Sequence, residues 1–95
     1  NDAPIIIAMG KDAMALRVIE EAELNSISVV RSPLLARALF YTGNIGFAIS
    51  EQLYSAVASI LAYVYQLERG VNTALQEPEI PSDFIFDEFG KPVKE

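Results

Sequence analysis

The first part of the chain places short apolar runs on either side of an amphipathic segment. Residues 4–9 form a continuous apolar run that ends at Gly10, and its adjacent β-branched residues favour a strand covered on both faces. A helix from about residue 12 to 24 follows, with Asp12 as its cap. Residues 27–31 predict a second strand. Strand, helix and strand with short joins predict a βαβ unit, whose two strands are parallel. The apolar stripe of the helix would be Ala15, Leu16, Ile19 and Ala22.

Two further helices are predicted after this unit. Ser32 and Pro33 are typical of a helix start, and this helix would run to about residue 41. Ser50 would cap the longest helix, over residues 51–68, whose apolar positions form one broad face. Those positions are Leu53, Val57, Ile60, Leu61, Val64 and Leu67.

The predicted fold class is therefore α/β with an incomplete sheet. Two strands do not form a sheet that is stable by itself in water, and the isoleucine run at residues 5–7 needs cover on both faces and both edges. We expect at least one further strand from an upstream segment of the same precursor or from a partner.

The chain divides at Gly70 into a domain, residues 1–69, and an acidic tail, residues 70–95. The domain has seven acidic and five basic residues, whereas the tail has six acidic and two basic residues and three of the five prolines. Two interpretations of the tail stay open: a flexible extension with a few hydrophobic residues, or a docking segment that orders on contact with a partner. In the second, the anchors would be Phe84, Phe86 and Phe89.

The amino-acid composition excludes several kinds of catalytic and binding site. The 95 residues contain no cysteine and no histidine, which excludes thiol nucleophiles, Ser-His-Asp sites and histidine zinc sites. The formal charge of −6 would repel a nucleic acid backbone. No metal-ligand cluster, no Gly-rich phosphate loop, no cofactor site and no membrane span is predicted. Arg37 could clamp an anion, but an arginine in an apolar helix more often pairs with an acid and covers apolar surface with its stem.

Several strings of the chain resemble the cytoplasmic domain of the type III secretion export-apparatus switch proteins, the FlhB/YscU family, and specifically its flagellar branch. The resemblance covers residues 2–69, and residues 86–92 also resemble endings found in flagellar members. The strings are Ala3-Pro4 with Met9-Gly10, Ala15-Leu16-Arg17, Pro33-Leu34-Leu35-Ala36-Arg37-Ala38-Leu39-Phe40, Leu53-Tyr54-Ser55-Ala56-Val57-Ala58 and Leu61-Ala62-Tyr63-Val64-Tyr65.

The resemblance implies a module that docks export substrates and changes their specificity from rod-and-hook to filament proteins. It implies a shallow apolar patch at Ala3, Pro4, Ala58 and Leu61. The implied partners are rod- and hook-class substrates, other export-apparatus proteins and the upstream fragment of the precursor. The implied location is the cytoplasmic face of the bacterial inner membrane, within a membrane-anchored export gate.

One departure from the family pattern concerns its self-cleavage. The family cleaves itself at an Asn-Pro-Thr-His turn, but here no asparagine is followed by proline and histidine is absent. These 95 residues are therefore not expected to act as an enzyme. The alternative function is a small soluble α/β regulatory domain that binds a small molecule at the carboxyl ends of its strands, near Gly10 and Arg31.

Overall fold

Three α-helices occupy the positions that the hydrophobic pattern predicts. The structure is a computed structural model that describes residues 3–93. The helices are α1 (Ala13–Leu24), α2 (Pro33–Thr42) and α3 (Tyr54–Glu68). A 3₁₀ turn, Glu51–Leu53, leads into α3, and a second one, Ser82–Phe84, lies in the C-terminal segment.

The helix caps differ from the predicted ones. None of Asp12, Ser32 and Ser50 makes the side-chain hydrogen bond of an N-cap. The Ser32 hydroxyl donates instead to a Glu77 carboxylate oxygen at 3.4 Å, and Ser50 donates to the Gln52 amide oxygen at 2.6 Å. Asp12 and Ser32 therefore stand at the predicted N-cap positions of α1 and α2, and Ser50 precedes the 3₁₀ turn that leads into α3, but their capping hydrogen bonds are not formed.

The predicted parallel strand pair is not formed among residues 3–93. Ile5 instead makes an isolated antiparallel bridge with Ala48. The Ile6 amide donates to the Phe47 carbonyl at 3.0 Å, and the Ile49 amide donates to the Pro4 carbonyl at 3.1 Å. The extended N-terminal segment thus pairs with the loop between α2 and α3, and the predicted βαβ unit is not confirmed.

The close packing of Ile6 on the end of α2 explains this pairing. Gly43 ends the helix, and a Cβ at that position would overlap the Ile6 side chain. Because glycine leaves this space free, the chain after α2 turns back alongside residues 4–6 and occupies that edge. A continuous apolar run indicates that a segment is covered, but it carries no information on which neighbour covers it or in which direction that neighbour runs.

Two segments outside the helices keep exposed apolar side chains. Ile5 is 56% exposed and Ile7 84%, while Ile27 is 58% and Val29 46% exposed. The amides of Ile7 and Val29 donate no backbone hydrogen bond to another residue of the described range 3–93. Both segments therefore have edges and faces that the described chain leaves uncovered.

The buried core joins α2 to the start of α3. Its centre is Leu53, which is fully buried, and Ala38, which is equally inaccessible. Leu35, Ile49 and Ala56 complete the buried set. Partly buried side chains pack around it: Ile6, Leu39, Val57, Ile60, Ile80 and Phe84.

Helix α1 lies outside this core. It has no buried residue, and Leu16, which the sequence placed in the apolar stripe, is 63% exposed. Ala15, Val18 and Ile19 are half-buried and face an open groove beside residues 5–10. The stripe therefore runs through Val18 and not through Leu16, because α1 contacts the N-terminal segment along only one side.

The C-terminal segment lies on the domain. Ile80 and Phe84 pack against the core, and the Ser32–Glu77 hydrogen bond ties an earlier part of the segment to the start of α2. The domain boundary at Gly70 and the flexibility of residues 70–95 stay predictions.

A tight turn closes the described part of the C-terminal segment. Phe86 and Pro92 form an antiparallel bridge around it, and Gly90 has a φ of 87°, a left-handed conformation that favours glycine. One Asp87 carboxylate oxygen accepts hydrogen bonds from the Phe89 and Lys91 amides, each at 2.9 Å. The hydrogen bond from the Lys91 amide is the main cause that lowers the pKa of Asp87 below its ordinary value.

The central position of Leu53 predicts a large loss of stability on truncation. Leu53→Ala should lower the free energy of unfolding by about 2–5 kcal/mol, because it removes buried apolar surface and leaves a cavity. Leu16→Ala, at an exposed position, should change it by about 0.5 kcal/mol or less. Urea denaturation followed by circular dichroism measures both, and equal losses would contradict this description of the core.

The Asp87 turn should weaken in acid. Since its pKa is lower in the folded turn than in the unfolded chain, the ionised carboxylate stabilises the turn above the ordinary carboxyl pKa. That stabilisation is lost as the pH falls through the lowered pKa. NMR should show the Phe89 and Lys91 amide shifts moving together, with a midpoint below the ordinary aspartate range. Asp87→Asn should remove this transition, and its persistence in the variant would refute the assignment.

Candidate functional site

The four residues of the predicted apolar patch lie on two elements. Ala3 and Pro4 are half-buried at the start of the extended N-terminal segment, and the Pro4 carbonyl is held by the Ile49 amide. Ala58 and Leu61 are exposed on α3 and lie one turn apart, on one side of the helix. Leu61 is 56% exposed, so it is not a core residue.

Leu61 lines an open groove between α3 and the segment after α1. The groove has a volume of about 450 Å³. Glu68 closes one end, where its carboxylate accepts a hydrogen bond from the Ser28 hydroxyl at 3.3 Å. Ala3, Pro4 and Ala58 are not among the lining residues, so their union with Leu61 in one patch stays a prediction. The apolar residues of the lining are Ile27, Val30, Ile60, Leu61 and Val64.

A second apolar groove was not predicted from the sequence. It follows residues 5–10, has a volume of about 410 Å³, and lies between α1 and α2. Ala36, Leu39 and Phe40 supply its α2 side. These three positions are spaced for one helix face, which is the signal that could have revealed the groove. The described chain does not cover the apolar side chains that line this groove.

The three predicted tail anchors have different surroundings. Phe84 packs against the core, and the ring centroid of Phe86 lies 5.7 Å from that of Tyr41. Phe89 is 73% exposed at the tip of the C-terminal turn. Of the three, only Phe89 is presented to a partner without rearrangement, and the docking role of the set stays a prediction.

Tyr41, at the end of α2, collects contacts that sequence reasoning missed. Its hydroxyl donates to the Glu88 carbonyl at 2.9 Å, and its ring makes an edge contact with Phe40 at 5.0 Å between centroids. The Lys11 ammonium lies 5.9 Å from the ring centroid, within cation–π range. No periodic pattern predicts this cluster, because its members come from three separate segments.

The described residues do not form a metal-binding cluster. No group of three or more histidine, cysteine, aspartate or glutamate side chains within residues 3–93 could hold a metal ion. Arg37 is half-buried and lines a small cavity with Lys11, Tyr41 and Glu88. The alternative small-molecule site required two parallel strands ending near Gly10 and Arg31, and that strand pair is not formed. Within the same range, no helix is long and apolar enough to cross a membrane.

Comparison with known proteins gives concordant matches. Residues 1–64 match the model of the FlhB HrpN YscU SpaS family. The flagellar biosynthetic protein FlhB of Aquifex aeolicus is 50% identical over 64 residues, which are 67% of this chain and 18% of that protein. FlhB of Escherichia coli is 41% identical over 80 residues, 84% of this chain and 21% of that protein. The chain thus spans about a fifth of the length of these relatives.

A solved structure resembles the fold. The crystal structure of the cytoplasmic domain of FlhB from Shewanella putrefaciens superposes with a TM-score of 0.73 at 40% sequence identity. The match covers 86% of this chain and 67% of that chain. The family model covers about two thirds of the sequence, and the structural match extends further. The chain therefore belongs to the FlhB HrpN YscU SpaS family.

Proposed function

We propose that this chain is a substrate-docking module of the flagellar type III protein export apparatus and takes part in its switch of substrate specificity. Its relatives are flagellar biosynthetic proteins, and the solved relative is a cytoplasmic domain. The observation that carries the proposal is the exposed apolar surface of α3 at Ala58 and Leu61, on a chain that contains no histidine and no cysteine.

The physical case for docking on α3 rests on side-chain size and exposure. Ala58 is a small apolar residue one turn from Leu61, and both side chains are exposed. Pro4 adds an apolar surface without a backbone donor. A short apolar segment of an export substrate would bury Leu61 and gain about 25 cal/mol for each Å² of apolar area removed from water. The docking patch of the proposal is Ala3, Pro4, Ala58 and Leu61.

The groove beside Leu61 would extend this patch. Ile27 and Val30 continue the apolar surface away from Ala58, and Glu68 marks its polar end. A bound segment that is longer than one helical turn would therefore reach residues 27–30, whose extended backbone could accept strand-like pairing.

We also propose that an additional strand completes the sheet. The side chains of Ile5, Ile7 and Val29 are exposed on extended segments, and an edge of this kind is a template for another strand. About a third of the solved relative's chain has no counterpart in the match. The favoured source is an upstream segment of the same precursor, which leaves no need for a separate protein to cover these edges.

The partners and location follow from the same proposal. Rod- and hook-class export substrates and other export-apparatus proteins would bind at the cytoplasmic face of the bacterial inner membrane. The chain would bind and release them without breaking bonds, because the self-cleavage motif Asn-Pro-Thr-His is not in its sequence.

Ala58→Asp should weaken binding of a purified hook-class substrate by at least about tenfold, since it puts a charge in the apolar docking patch. Ser59→Asp is the matched control: it adds the same charge to the same helix, about 100° further round, beside the cleft at residues 73–78. Titration calorimetry measures binding, and thermal unfolding checks both folds. Equal affinities of Ala58→Asp and the unaltered chain would overturn the docking assignment.

The strand proposal predicts uneven amide protection in the isolated chain. The Ile7 and Val29 amides should exchange rapidly with deuterium, whereas the hydrogen-bonded Ile6 and Ile49 amides should exchange more slowly. The isolated chain should also self-associate through its open edges. A monomer with a sharp melting transition and equal protection at all four amides would refute the incomplete sheet.

A further inference from the structure

The C-terminal turn is seated on α2 in the way that a bound peptide would be. The turn comprises residues 86–92, and its seat is the surface around Tyr41. Phe86 packs beside the Tyr41 ring, and Gly90 lies directly against that ring. The Glu88 carbonyl accepts a hydrogen bond from the Tyr41 hydroxyl. One aromatic side chain, one backbone carbonyl and one glycine therefore make the contact.

The seat has a chemistry that suits an acidic, aromatic segment. Lys11 and Arg37 lie at its edge and carry two of the seven positive charges of a chain whose formal charge is −6. Two acidic residues also line this cavity: Asp12, which precedes α1, and Glu88 of the turn itself. Phe40 and Tyr41 supply aromatic surface. The segment that occupies the seat carries Phe86, Asp87 and Glu88 in sequence.

The attachment is small enough to open without unfolding the domain. The Asp87 hydrogen bonds and the Phe86–Pro92 bridge are internal to the turn. They therefore stabilise the conformation of the turn but do not attach it to α2. The contacts that hold the turn against α2 are those with Tyr41, and they lie outside the buried core, whereas Phe84, just before the turn, packs against that core.

We propose that the Tyr41 surface of α2 is a docking site for an acidic, aromatic segment of another protein, and that the chain's own C-terminal turn occupies and blocks it. The occupant would present an aromatic residue followed by acidic residues, as residues 86–88 do. It would displace the turn and leave the core intact. This site is separate from the docking patch on α3, so either assignment can fail without the other.

Competition by an intramolecular segment gives the proposal a direct test. The turn is tethered to its seat, which gives it a high effective concentration there, so a free peptide should bind the unaltered chain weakly. Gly90→Ala should open the seat, because a Cβ at that position would lie 2.6 Å from a Tyr41 ring carbon. Gly70→Ala is the matched control: Gly70 also has a positive φ, 80°, but a Cβ there meets no atom within 4 Å.

The probe is a fluorescent synthetic peptide with the sequence of residues 83–93, titrated with the full chain and followed by anisotropy. The Gly90→Ala chain should bind it about tenfold more tightly than the unaltered chain and the Gly70→Ala chain do. Adding Tyr41→Ala to Gly90→Ala should abolish binding, and adding Lys11→Glu should weaken it severalfold. A peptide in which alanine replaces Phe86 should not bind.

Several results would overturn the proposal. They are equal affinity of the unaltered and Gly90→Ala chains, no binding by the Gly90→Ala chain, and binding that Tyr41→Ala does not affect. If Gly90→Ala does not fold by circular dichroism, Phe86→Ala in the full chain takes its place, with the same gain expected. A Tyr41-dependent dimer in sedimentation would assign the seat to a second copy and would overturn the assignment to another protein.

Discussion

The fold depends on one incompletely paired segment at its N-terminus. Residues 4–6 pair with the loop after α2 on one edge, and Ile6 packs over Gly43 into the margin of the core. The adjacent Ile5 and Ile7 side chains remain exposed. A core with one fully buried large side chain, Leu53, is close to the size at which burial barely offsets chain entropy. The proposed additional strand would cover this segment.

The sequence predicted the elements better than their pairing. Helical spacing predicted α1 and α3, and the Ser32-Pro33 pair predicted the start of α2. The pairing partner of residues 5–7 could not be predicted, because an apolar run indicates that a segment packs against something but does not identify the neighbouring segment. The contact of Ile6 with Gly43 links positions far apart in sequence and has no periodic signature.

The candidate sites also divide into features that helical spacing predicts and features that only the tertiary structure reveals. Ala58 and Leu61 could be paired from their helical spacing, and their exposure agrees with a surface role. Their association with Ala3 and Pro4 came from resemblance to the family and not from periodicity. The Tyr41 cluster could not be predicted from the sequence, because Lys11, Tyr41 and Glu88 belong to three segments that only the tertiary structure brings together. The tail phenylalanines were recognised as apolar anchors, but Phe84 packs against this domain's own core.

Two exposed apolar regions and one occupied seat together describe a module that works by surface contact. We propose that the region at residues 5–10 receives a further strand and the region at Leu61 a substrate segment, while the seat at Tyr41 holds the chain's own turn. The most direct measurement of the central claim is NMR mapping of the isotopically labelled chain as a purified hook-class substrate is added. The account predicts saturable shifts at Ala58, Leu61 and their neighbours on α3, with the Leu53 core unchanged. Saturable shifts confined to other surfaces, or no binding at all, would contradict it.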